Sequence, residues 1–280
     1  MSQKSNLSVQ QLPKEPKFLS AFEAKPGHSL VYIDFSALEP HVLTEFSNDL
    51  RMKEIYGPHA KPGQDIYLYF GYNTALFGPA IKAYYNPRET SLEATEIAKK
   101  HLKTQRDILK IIVLGIGYGM GANKLKEDVN VAGYKIEAHE ARKVVNDYKD
   151  FFWGVERFKI KLENTLSSNG GYIINGRGRI LTIPSDKTKD IVNRFVQSTG
   201  HDILMYYLLL INRKRKERNI PMRPWQPDEH DATIWEVPDE YAQQVKEVFE
   251  ECLVELNETL SWGIKFKGNV KIAKDLSVKL

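Results

Sequence analysis

The order of the hydrophobic patterns constrains the fold of this chain more than any other feature. Strands are predicted near both ends of the chain: a short apolar, β-favouring run at 30–33, β material within 222–237 around His230-Asp231, and a last strand at 264–270. Helical patterns cover 37–48, 90–125, 136–168, 186–213 and 239–258. Strands at both ends with helices in the middle predict an α+β fold in which helices are inserted into a sheet domain.

Two local signals refine this layout. The segments 172–174 and 179–183 flank Asn175-Gly176, a dipeptide typical of a β-hairpin turn. Before His230, prolines at 221, 224 and 227 predict a poor strand, because each lacks the N–H that a sheet ladder needs.

The cysteine count and the lengths of the apolar runs indicate where in the cell the protein is expected. The single cysteine, Cys252, excludes a disulfide within the chain, so we expect a reducing compartment and predict that Cys252 is a core residue. No apolar run approaches the roughly 20 residues that span a bilayer, and the first residues lack the apolar segment of a signal peptide. We therefore expect a cytoplasmic protein without a membrane partner.

The charge pattern gives a weak hint of nucleic acid. The net charge is +4, and basic residues gather at 99–106, 177–179 and 213–218 with aromatic residues between the runs. The last run ends a long predicted helix, where the helix dipole favours cations. It is interpreted either as a solvated helix end or as a contact to phosphate.

Two aspartates lie beside predicted strands. Asp34 closes the first strand, in VYIDFSALEP, and Asp231 lies in EHDATIWEV. Paired carboxylates repel unless a cation lies between them, and Mg²⁺ prefers such hard oxygen ligands. The alternative is that Asp34 caps the following helix and that Asp231 begins a turn.

One predicted helix carries cations and an aromatic residue on a single face. Arg106, Lys110, Leu114 and Tyr118 recur every four residues, and this spacing lines one gently spiralling face. Two cations one turn apart suit a polyphosphate, and an aromatic residue followed by Gly119 suits a stacked base. The alternative, a helix with solvated cations, leaves four glycines at 115–121 unexplained, since each costs the helix roughly 1 kcal/mol.

Seven short segments share their order with the motifs of one known family. The first three are Asp34-Phe35-Ser36-Ala37-Leu38-Glu39, then Arg106, Lys110, Tyr118 and Gly119, then His230-Asp231. The others are 9–13, Asp65-Ile66-Tyr67, Gly176-Arg177 with Arg179, and Asn193 and Gln197 followed by Ser198-Thr199-Gly200. Together they resemble the family A DNA polymerases, with the first three similar to motifs A, B and C. Single-subunit RNA polymerases lack the Asp-x-Ser-x-x-Glu segment, so the resemblance implies DNA synthesis.

The resemblance implies a polymerase palm, whose antiparallel sheet carries Asp34 and Asp231, with an inserted helical fingers subdomain. The palm is expected at 1–62 and 186–280, and the fingers at 63–185. The implied cofactor is a pair of Mg²⁺ ions, which Mn²⁺ can replace, held by the two aspartates and the backbone carbonyl of Phe35. The implied partners are primer–template DNA and deoxyribonucleoside triphosphates.

The resemblance also implies roles for side chains. Arg106 and Lys110 would hold the triphosphate, and Lys110 would donate a proton to the leaving pyrophosphate. Tyr118 would stack near the template base, and Glu39 would exclude ribonucleotides by crowding the sugar 2′ position. Further nucleotide contacts are implied for Leu114 and Tyr67. DNA contacts are implied for Gln197, Asn193, His230, Arg177, Arg179, Lys189 and Gly119.

Several features depart from the family pattern. Leu114 and His41 stand where the family has an aromatic residue and Arg, and Ala232 replaces the Glu after the motif C aspartate. Because motif A begins at residue 34, we expect thumb and exonuclease domains to be absent. The chain is therefore expected to be the catalytic subunit of a split polymerase, with a second polypeptide supplying the thumb or exonuclease, in a host's cytoplasm if the gene is a phage's. The alternative is a catalytically weakened, polymerase-like subunit that binds DNA or a partner.

Overall fold

The computed structural model of the protein describes residues 15–89, 91–229 and 231–279. The chain divides into two compact units. The first contains the residues up to Leu38 and those from Gly200 onward, and the second contains 39–199. The expected boundaries between palm and fingers lie elsewhere, at 62 and 185, and that subdivision stays a prediction.

The helices and strands confirm the α+β class. In chain order they are α1 (Pro16–Leu19), β1 (His28–Phe35), α2 (Leu38–Ser47), α3 (Leu50–Tyr56), α4 (Ile66–Tyr72), α5 (Gly78–Lys82), α6 (Leu92–His101), α7 (Lys103–Gly117), α8 (Ala122–Val131), α9 (Ala138–Phe151), α10 (Trp153–Ser168), β2 (Tyr172–Ile174), β3 (Ile180–Thr182), α11 (Ile191–Glu217), β4 (Arg223–Glu229), β5 (Ala232–Pro238), α12 (Ala242–Leu260) and β6 (Gly268–Ala273). Short 3₁₀ helices cover Ser185–Asp190, Asp239–Tyr241 and Leu276–Lys279.

The first unit is built on a four-stranded antiparallel sheet with the order β4-β5-β1-β6. The apolar run 30–33 places β1 in the centre of this sheet, where all four side chains are buried. Leu30 packs with Ile234 of β5 on one face. Phe35, on the opposite face by strand alternation, meets the ring of Tyr207 edge-on at 5.2 Å between centroids. Strands from both ends of the chain therefore form one sheet, as predicted.

The proline-rich segment does form a strand, β4, at an edge of the sheet. Its register with β5 pairs Arg223 with Glu236 and Pro224 with Trp235, and it shifts twice before Glu229. An edge position tolerates prolines because one side of the strand needs no ladder donors. The expectation of a poor strand before His230 is therefore confirmed, because β4 is present but irregular.

The last strand begins later than predicted, at Gly268 rather than at residue 264. Ile264 and Phe266 are buried, which explains their strand-like pattern. The backbone of Phe266 nevertheless pairs with a side chain: its N–H donates to Asn257 Oδ1 at 2.8 Å, and its carbonyl accepts from Asn257 Nδ2 at 2.9 Å. This segment is therefore a packed loop.

The second unit is mainly helical. Phe70 of α4 packs against the rings of Tyr148 and Phe152, with centroids 5.9 Å away in both cases. Asp49 is fully buried and caps α3 by accepting a hydrogen bond from the N–H of Met52 at 3.0 Å. It also accepts one from the N–H of Gly154 in α10 at 2.8 Å. Asp49 thereby joins the beginnings of two helices.

The predicted hairpin is present in the second unit, with Ile173 of β2 opposite Leu181 of β3. Its loop closes where the N–H of Asn175 donates to the carbonyl of Arg179 at 2.9 Å. Gly178 has a φ of +88° and supplies the left-handed backbone, which glycine adopts without steric cost.

The basic run at the end of α11 is paired with acidic residues of α12. Arg213 lies 2.7 Å from Glu255, and Lys214 and Arg218 lie 3.3 and 2.6 Å from Glu251. These cations therefore link two helices, a role that neither of the interpretations made from the sequence included.

Cys252 of α12 is a buried, free thiol, which confirms its predicted place in the core. Burial raises the pKa of this thiol to about 12. None of the helices in the described ranges is long and apolar enough to cross a membrane.

Candidate active site

The two aspartates lie at the same end of the sheet in the first unit. Asp34 is exposed although the four residues before it are buried, and the register of β1 places it opposite Ala232 of β5. The N–H of the next residue, Phe35, donates to the backbone carbonyl of Asp231 at 2.9 Å. Backbone pairing alone thus brings Asp34 and Asp231 to neighbouring positions.

The donor set at this sheet end fits a hard divalent cation. One carboxylate from β1 and one from the residue just before β5 could supply oxygen ligands, and Mg²⁺ commonly takes one or two carboxylates together with water and substrate phosphates. In the part of the chain that the structure describes, no group of three or more His, Cys, Asp or Glu residues forms a metal site. A cation held by Asp34 and Asp231 would therefore complete its ligands from the backbone, solvent or substrate. His230 of motif C lies outside the described residues, as does the 9–13 segment.

A further polar residue accompanies Asp34 that sequence reasoning missed. Asn269 of β6 is the register partner of Asp34 on its other side, and Asn269 is exposed. Directly opposite residues in antiparallel strands have Cβ atoms about 4.5–5.5 Å apart. The only available signal was a polar residue in the last predicted strand, which did not specify a register.

The predicted cationic face is present on α7 in the second unit. Ile108, Leu109, Ile112, Val113 and Ile116 are buried and form the opposite side of the helix. Arg106 and Leu114 are half-buried and Lys110 is exposed. Tyr118 follows the last turn of the helix as its C-cap residue. The spacing of four residues therefore predicted this face correctly.

Arg106 is held by two neighbours. Its Nε and Nη2 atoms each lie 2.9 Å from Oδ2 of Asp65, and its guanidinium carbon lies 5.1 Å from the centroid of the Tyr67 ring. The same carboxylate caps α4 through its other oxygen. Burial, followed by the charge of Asp65, raises the pKa of Tyr67. The Asp-Ile-Tyr segment thus lies beside the first cation of α7.

Lys110 differs from Arg106 in its surroundings. Its side chain is exposed, and no hydrogen bond or ion pair to it is found among residues 15–89, 91–229 and 231–279. The amine one helical turn beyond Arg106 is therefore available to an anion from solution.

The hydroxyl of Tyr118 donates a hydrogen bond to the carboxylate of Glu39, the first acidic residue of α2. Burial raises the pKa of Tyr118, and the neighbouring charge of Glu39 raises it further, so the hydroxyl stays protonated as a donor. Glu39, Tyr118, Tyr67 and Leu114 line one pocket. Four residues predicted to contact nucleotide are thus brought together.

Aromatic side chains complete this pocket, and sequence reasoning did not identify them. Tyr56, Tyr148 and Phe152 contribute to its wall. Tyr148 lies on the apolar face of α9 and Phe152 directly follows that helix, so both resembled ordinary core residues in the sequence.

Two of the glycines at the end of α7 have packing reasons. Gly119 has a φ of +95°, and a Cβ atom at this position would lie 2.3 Å from the carbonyl oxygen of Lys189. A Cβ atom at Gly117 would lie 2.9 Å from the hydroxyl of Tyr148. The interpretation of these glycines as space for a stacked base is therefore not needed to explain them.

Five of the residues predicted to contact DNA fall into two groups, the cations around the hairpin and the amide side chains at the start of α11. Arg177, Arg179 and Lys189 are exposed, and Arg179 Nη2 donates to the carbonyl of Ser198 in α11 at 3.1 Å. This contact brings the hairpin loop next to Gln197, which is exposed. Asn193 lies one turn earlier, and its Oδ1 atom is buried without a partner among the described residues.

A comparison with known families decides the relationship. The sequence matches the family described as DNA polymerase family A over residues 2–277. The chain belongs to DNA polymerase family A. The resemblance seen in seven short segments therefore extends over nearly the whole chain.

Relatives in family A include phage and bacterial proteins. The DNA polymerase of Mycobacterium phage D29 is 31% identical over 191 residues, which cover 68% of this chain and 26% of that protein. DNA polymerase I of Aquifex aeolicus (strain VF5) is 25% identical over 236 residues, which cover 83% of this chain and 36% of that protein. The chain thus spans much less than two thirds of these relatives' length.

A solved structure shares the family A fold. The POL domain of Pol1 from M. smegmatis, in a complex with DNA primer-template and dNTP, superposes with a TM-score of 0.76 at 17% identity. The match covers 98% of this chain and 45% of that one. At this identity the likeness supports the fold alone.

One departure from the family A motifs has a visible packing context. Ala232, which stands in place of Glu, is buried in a cluster with Leu30 and Tyr32. The site therefore lacks one carboxylate at this position, and a small apolar residue closes the core directly opposite Asp34.

Proposed function

We propose that this chain carries out template-directed DNA synthesis by adding deoxyribonucleotides to the 3′-hydroxyl of a primer. The observation that supports this most is the register of β1 and β5, which brings Asp34 next to Asp231 in a chain that belongs to family A. The proposed reaction is an in-line nucleotidyl transfer, which depends mainly on positioning and charge.

Asp34, Asp231 and the backbone carbonyl of Phe35 are the proposed ligands of two Mg²⁺ ions, which Mn²⁺ can replace. Such ions activate the attacking hydroxyl and stabilise the leaving oxygen. The backbones that carry the two carboxylates keep a fixed spacing, because Phe35 next to Asp34 is hydrogen-bonded to Asp231. The two carboxylates are therefore suited to hold cations without rearranging.

Arg106 and Lys110 are the proposed partners of the triphosphate. Their separation of one helical turn lets them contact successive phosphates. Arg106 is held in place by Asp65, so it is suited to binding, whereas the exposed amine of Lys110 is suited to donating a proton to the pyrophosphate leaving group.

Glu39, Tyr118, Leu114 and Tyr67 are the proposed contacts of the sugar and base. The hydrogen bond from Tyr118 fixes the carboxylate of Glu39, and a fixed carboxylate near the sugar disfavours an added 2′-hydroxyl through crowding. Leu114 is not planar, and the proposed role of stacking therefore falls to Tyr118.

The proposed DNA contacts are Gln197, Asn193, His230, Arg177, Arg179, Lys189 and Gly119. The exposed cations at 177, 179 and 189 are suited to phosphates, which dominate the affinity for nucleic acid. Arg179 is anchored to α11 beside Gln197, so the hairpin loop and the start of α11 are proposed to contact the same duplex.

The second polypeptide expected from the sequence remains a prediction. In the relatives, the matching segment is part of a longer chain, so the relatives give this expectation no support. A cytoplasmic location is proposed on the free, buried thiol of Cys252.

A primer-extension assay tests the proposed function. The purified chain is incubated at low salt with a primer–template and one nucleotide at a time, with Mg²⁺, with Mn²⁺ or with a chelator. We expect extension only by the nucleotide complementary to the template, and only with a metal ion. Tight binding of primer–template without extension under any condition would instead support the alternative of a binding module.

A further inference from the structure

We infer that Asp65 is a positioning residue for the nucleotide, acting through Arg106. This inference rests on the proposed role of Arg106 in binding the triphosphate. Asp65 is separated from Arg106 by 41 positions and does not belong to the cationic face of α7. Its carboxylate nevertheless does more than cap a helix, because it also pairs with the guanidinium of Arg106 and can fix the orientation of that group.

The carboxylate of Asp65 uses its two oxygens for different purposes. Oδ1 accepts hydrogen bonds from the backbone N–H groups of Tyr67 and Leu68 at 3.1 and 3.0 Å. Oδ2 accepts a hydrogen bond from Nε of Arg106 at 2.9 Å and lies 2.9 Å from Nη2 in the same ion pair. The backbone of Asp65 is fixed as well, because its N–H donates to the hydroxyl of Tyr85 at 3.1 Å.

This arrangement fixes one edge of the guanidinium and leaves donors for a ligand. Asp65 is only 6% exposed at its side chain, whereas Arg106 is 27% exposed. An arginine has five N–H donors, and the contacts through Nε and Nη2 to Asp65 leave Nη1 unused by this pair. The ring of Tyr67, 5.1 Å from the guanidinium carbon, restricts the group from one side.

A guanidinium that is already ordered binds phosphate more tightly than a mobile one. Immobilising a side chain with many rotamers on binding costs about 0.5–1.5 kcal/mol, and Asp65 removes this cost before the nucleotide arrives. The opposite effect, competition between Asp65 and the phosphate for Arg106, would make the nucleotide bind more tightly once Asp65 is neutral. Loss of preordering would raise KM and loss of competition would lower it, so the direction of the change in KM distinguishes the two effects.

Asp65→Asn is the informative substitution. Asn caps helices about as well as Asp, so the bonds to Tyr67 and Leu68 can persist. Its amide nitrogen, however, would face the donors of Arg106 without an acceptor. Asp49→Asn is the matched control, because Asp49 is also a buried helix cap and no ion pair joins it to a cation within the described ranges.

The experiment measures kcat and KM for the correct nucleotide, with primer–template, in the full chain. We expect Asp65→Asn to raise KM by about three- to tenfold with little change in kcat, since positioning of a ground-state contact acts on binding. In an Arg106→Ala background, Asp65→Asn should raise KM no further. The control Asp49→Asn should leave KM unchanged.

A second readout does not need catalysis. Ligand binding raises the unfolding temperature, and the rise caused by the nucleotide with Mg²⁺ should be smaller in Asp65→Asn than in the wild type and unchanged in Asp49→Asn. An unchanged or lower KM in Asp65→Asn, or an equal rise in KM in the wild-type and Arg106→Ala backgrounds, overturns the inference about Asp65 and leaves the proposed role of Arg106 intact. A normal KM in Arg106→Ala overturns the proposed role of Arg106 and the inference with it.

Discussion

In the first unit, Asp34 and Asp231 lie on backbone that is fixed by sheet hydrogen bonds, whereas in the second unit Arg106 and Tyr118 are fixed by the side chains of Asp65 and Glu39. Backbone pairing survives most side-chain substitutions, but a side-chain partner is lost with a single change. The aspartates should therefore be sensitive only to direct replacement, and the residues of the second unit should also respond to changes in their partners.

The largest effect is expected for Asp34→Asn or Asp231→Asn. Each change removes a charge while keeping the shape of the side chain, so Mg²⁺-dependent primer extension should fall by on the order of a thousandfold, as when a principal charge-stabilising group is lost. The measurement is the rate of single-nucleotide addition, with circular dichroism to show that the fold is kept.

The matched control for this change is Asp239→Asn. Asp239 accepts a hydrogen bond from Ser29 at 2.7 Å at the other end of the same sheet and forms an ion pair with Lys274. Extension at the wild-type rate by either Asp34→Asn or Asp231→Asn would remove that residue from the proposed metal site.

The next effect is expected at Lys110. A hydrogen bond to a charged group contributes about 1.5–3 kcal/mol, so Lys110→Ala should reduce kcat by roughly 10- to 150-fold, while Lys103→Ala at the start of α7 should not. The free energy of unfolding should differ between the variants at Lys110 and Arg106. Lys110→Ala should leave the free energy of unfolding unchanged, whereas Arg106→Ala should lower it because Asp65 loses its partner.

Urea unfolding monitored by fluorescence measures this difference in stability. Equal and small kinetic effects at Lys110 and Arg106 would show that this face of α7 does not hold the triphosphate.

A smaller effect is expected for selectivity at Glu39. Glu39→Ala should raise ribonucleotide incorporation relative to deoxyribonucleotide incorporation by about tenfold, and Tyr118→Phe, which only releases the carboxylate, by about twofold to fivefold. Single-nucleotide insertion with matched pairs of nucleotides measures the ratio. Glu45→Ala on the same helix is the control, and unchanged selectivity in Glu39→Ala would exclude this residue as the sugar gate.

The smallest effect on activity is expected for Tyr207→Phe. The hydroxyl of Tyr207 is buried and donates to the carbonyl of Phe249 at 2.8 Å, so its loss should lower the free energy of unfolding by about 1 kcal/mol. Because sheet pairing holds Asp34, the extension rate should not change even though Tyr207 contacts Phe35. A large loss of activity would show that ring packing also positions the aspartates.

The sequence predicted the elements whose side-chain periodicity is strong. β1 follows from a continuous apolar run that is buried on both faces, the face of α7 from a repeat of about 3.6 residues, and the hairpin from its Asn-Gly turn. The start of β6 did not follow, because Ile264 and Phe266 are buried without pairing in the sheet. An apolar alternation reports burial, and it does not report where the backbone hydrogen bonds go.

The features of the candidate site that the sequence did not predict depend on contacts between residues far apart in the chain. The ion pair of Asp65 and Arg106 joins residues 41 positions apart, and the reason for Gly119 is the carbonyl of Lys189. Neither contact leaves a local pattern. The motifs named the residues of the candidate site, but the partner that orients a side chain depends on how the helices pack.

The irregular edge strand β4 also has a consequence for how molecules of this protein meet one another. A regular strand at the edge of a sheet is a template on which another copy can add its own strand and begin aggregation. Pro224 and Pro227 offer no N–H to an incoming strand, and two register shifts interrupt the strand between Pro224 and Glu229. The segment that leads into motif C therefore protects this edge of the sheet against edge-to-edge association.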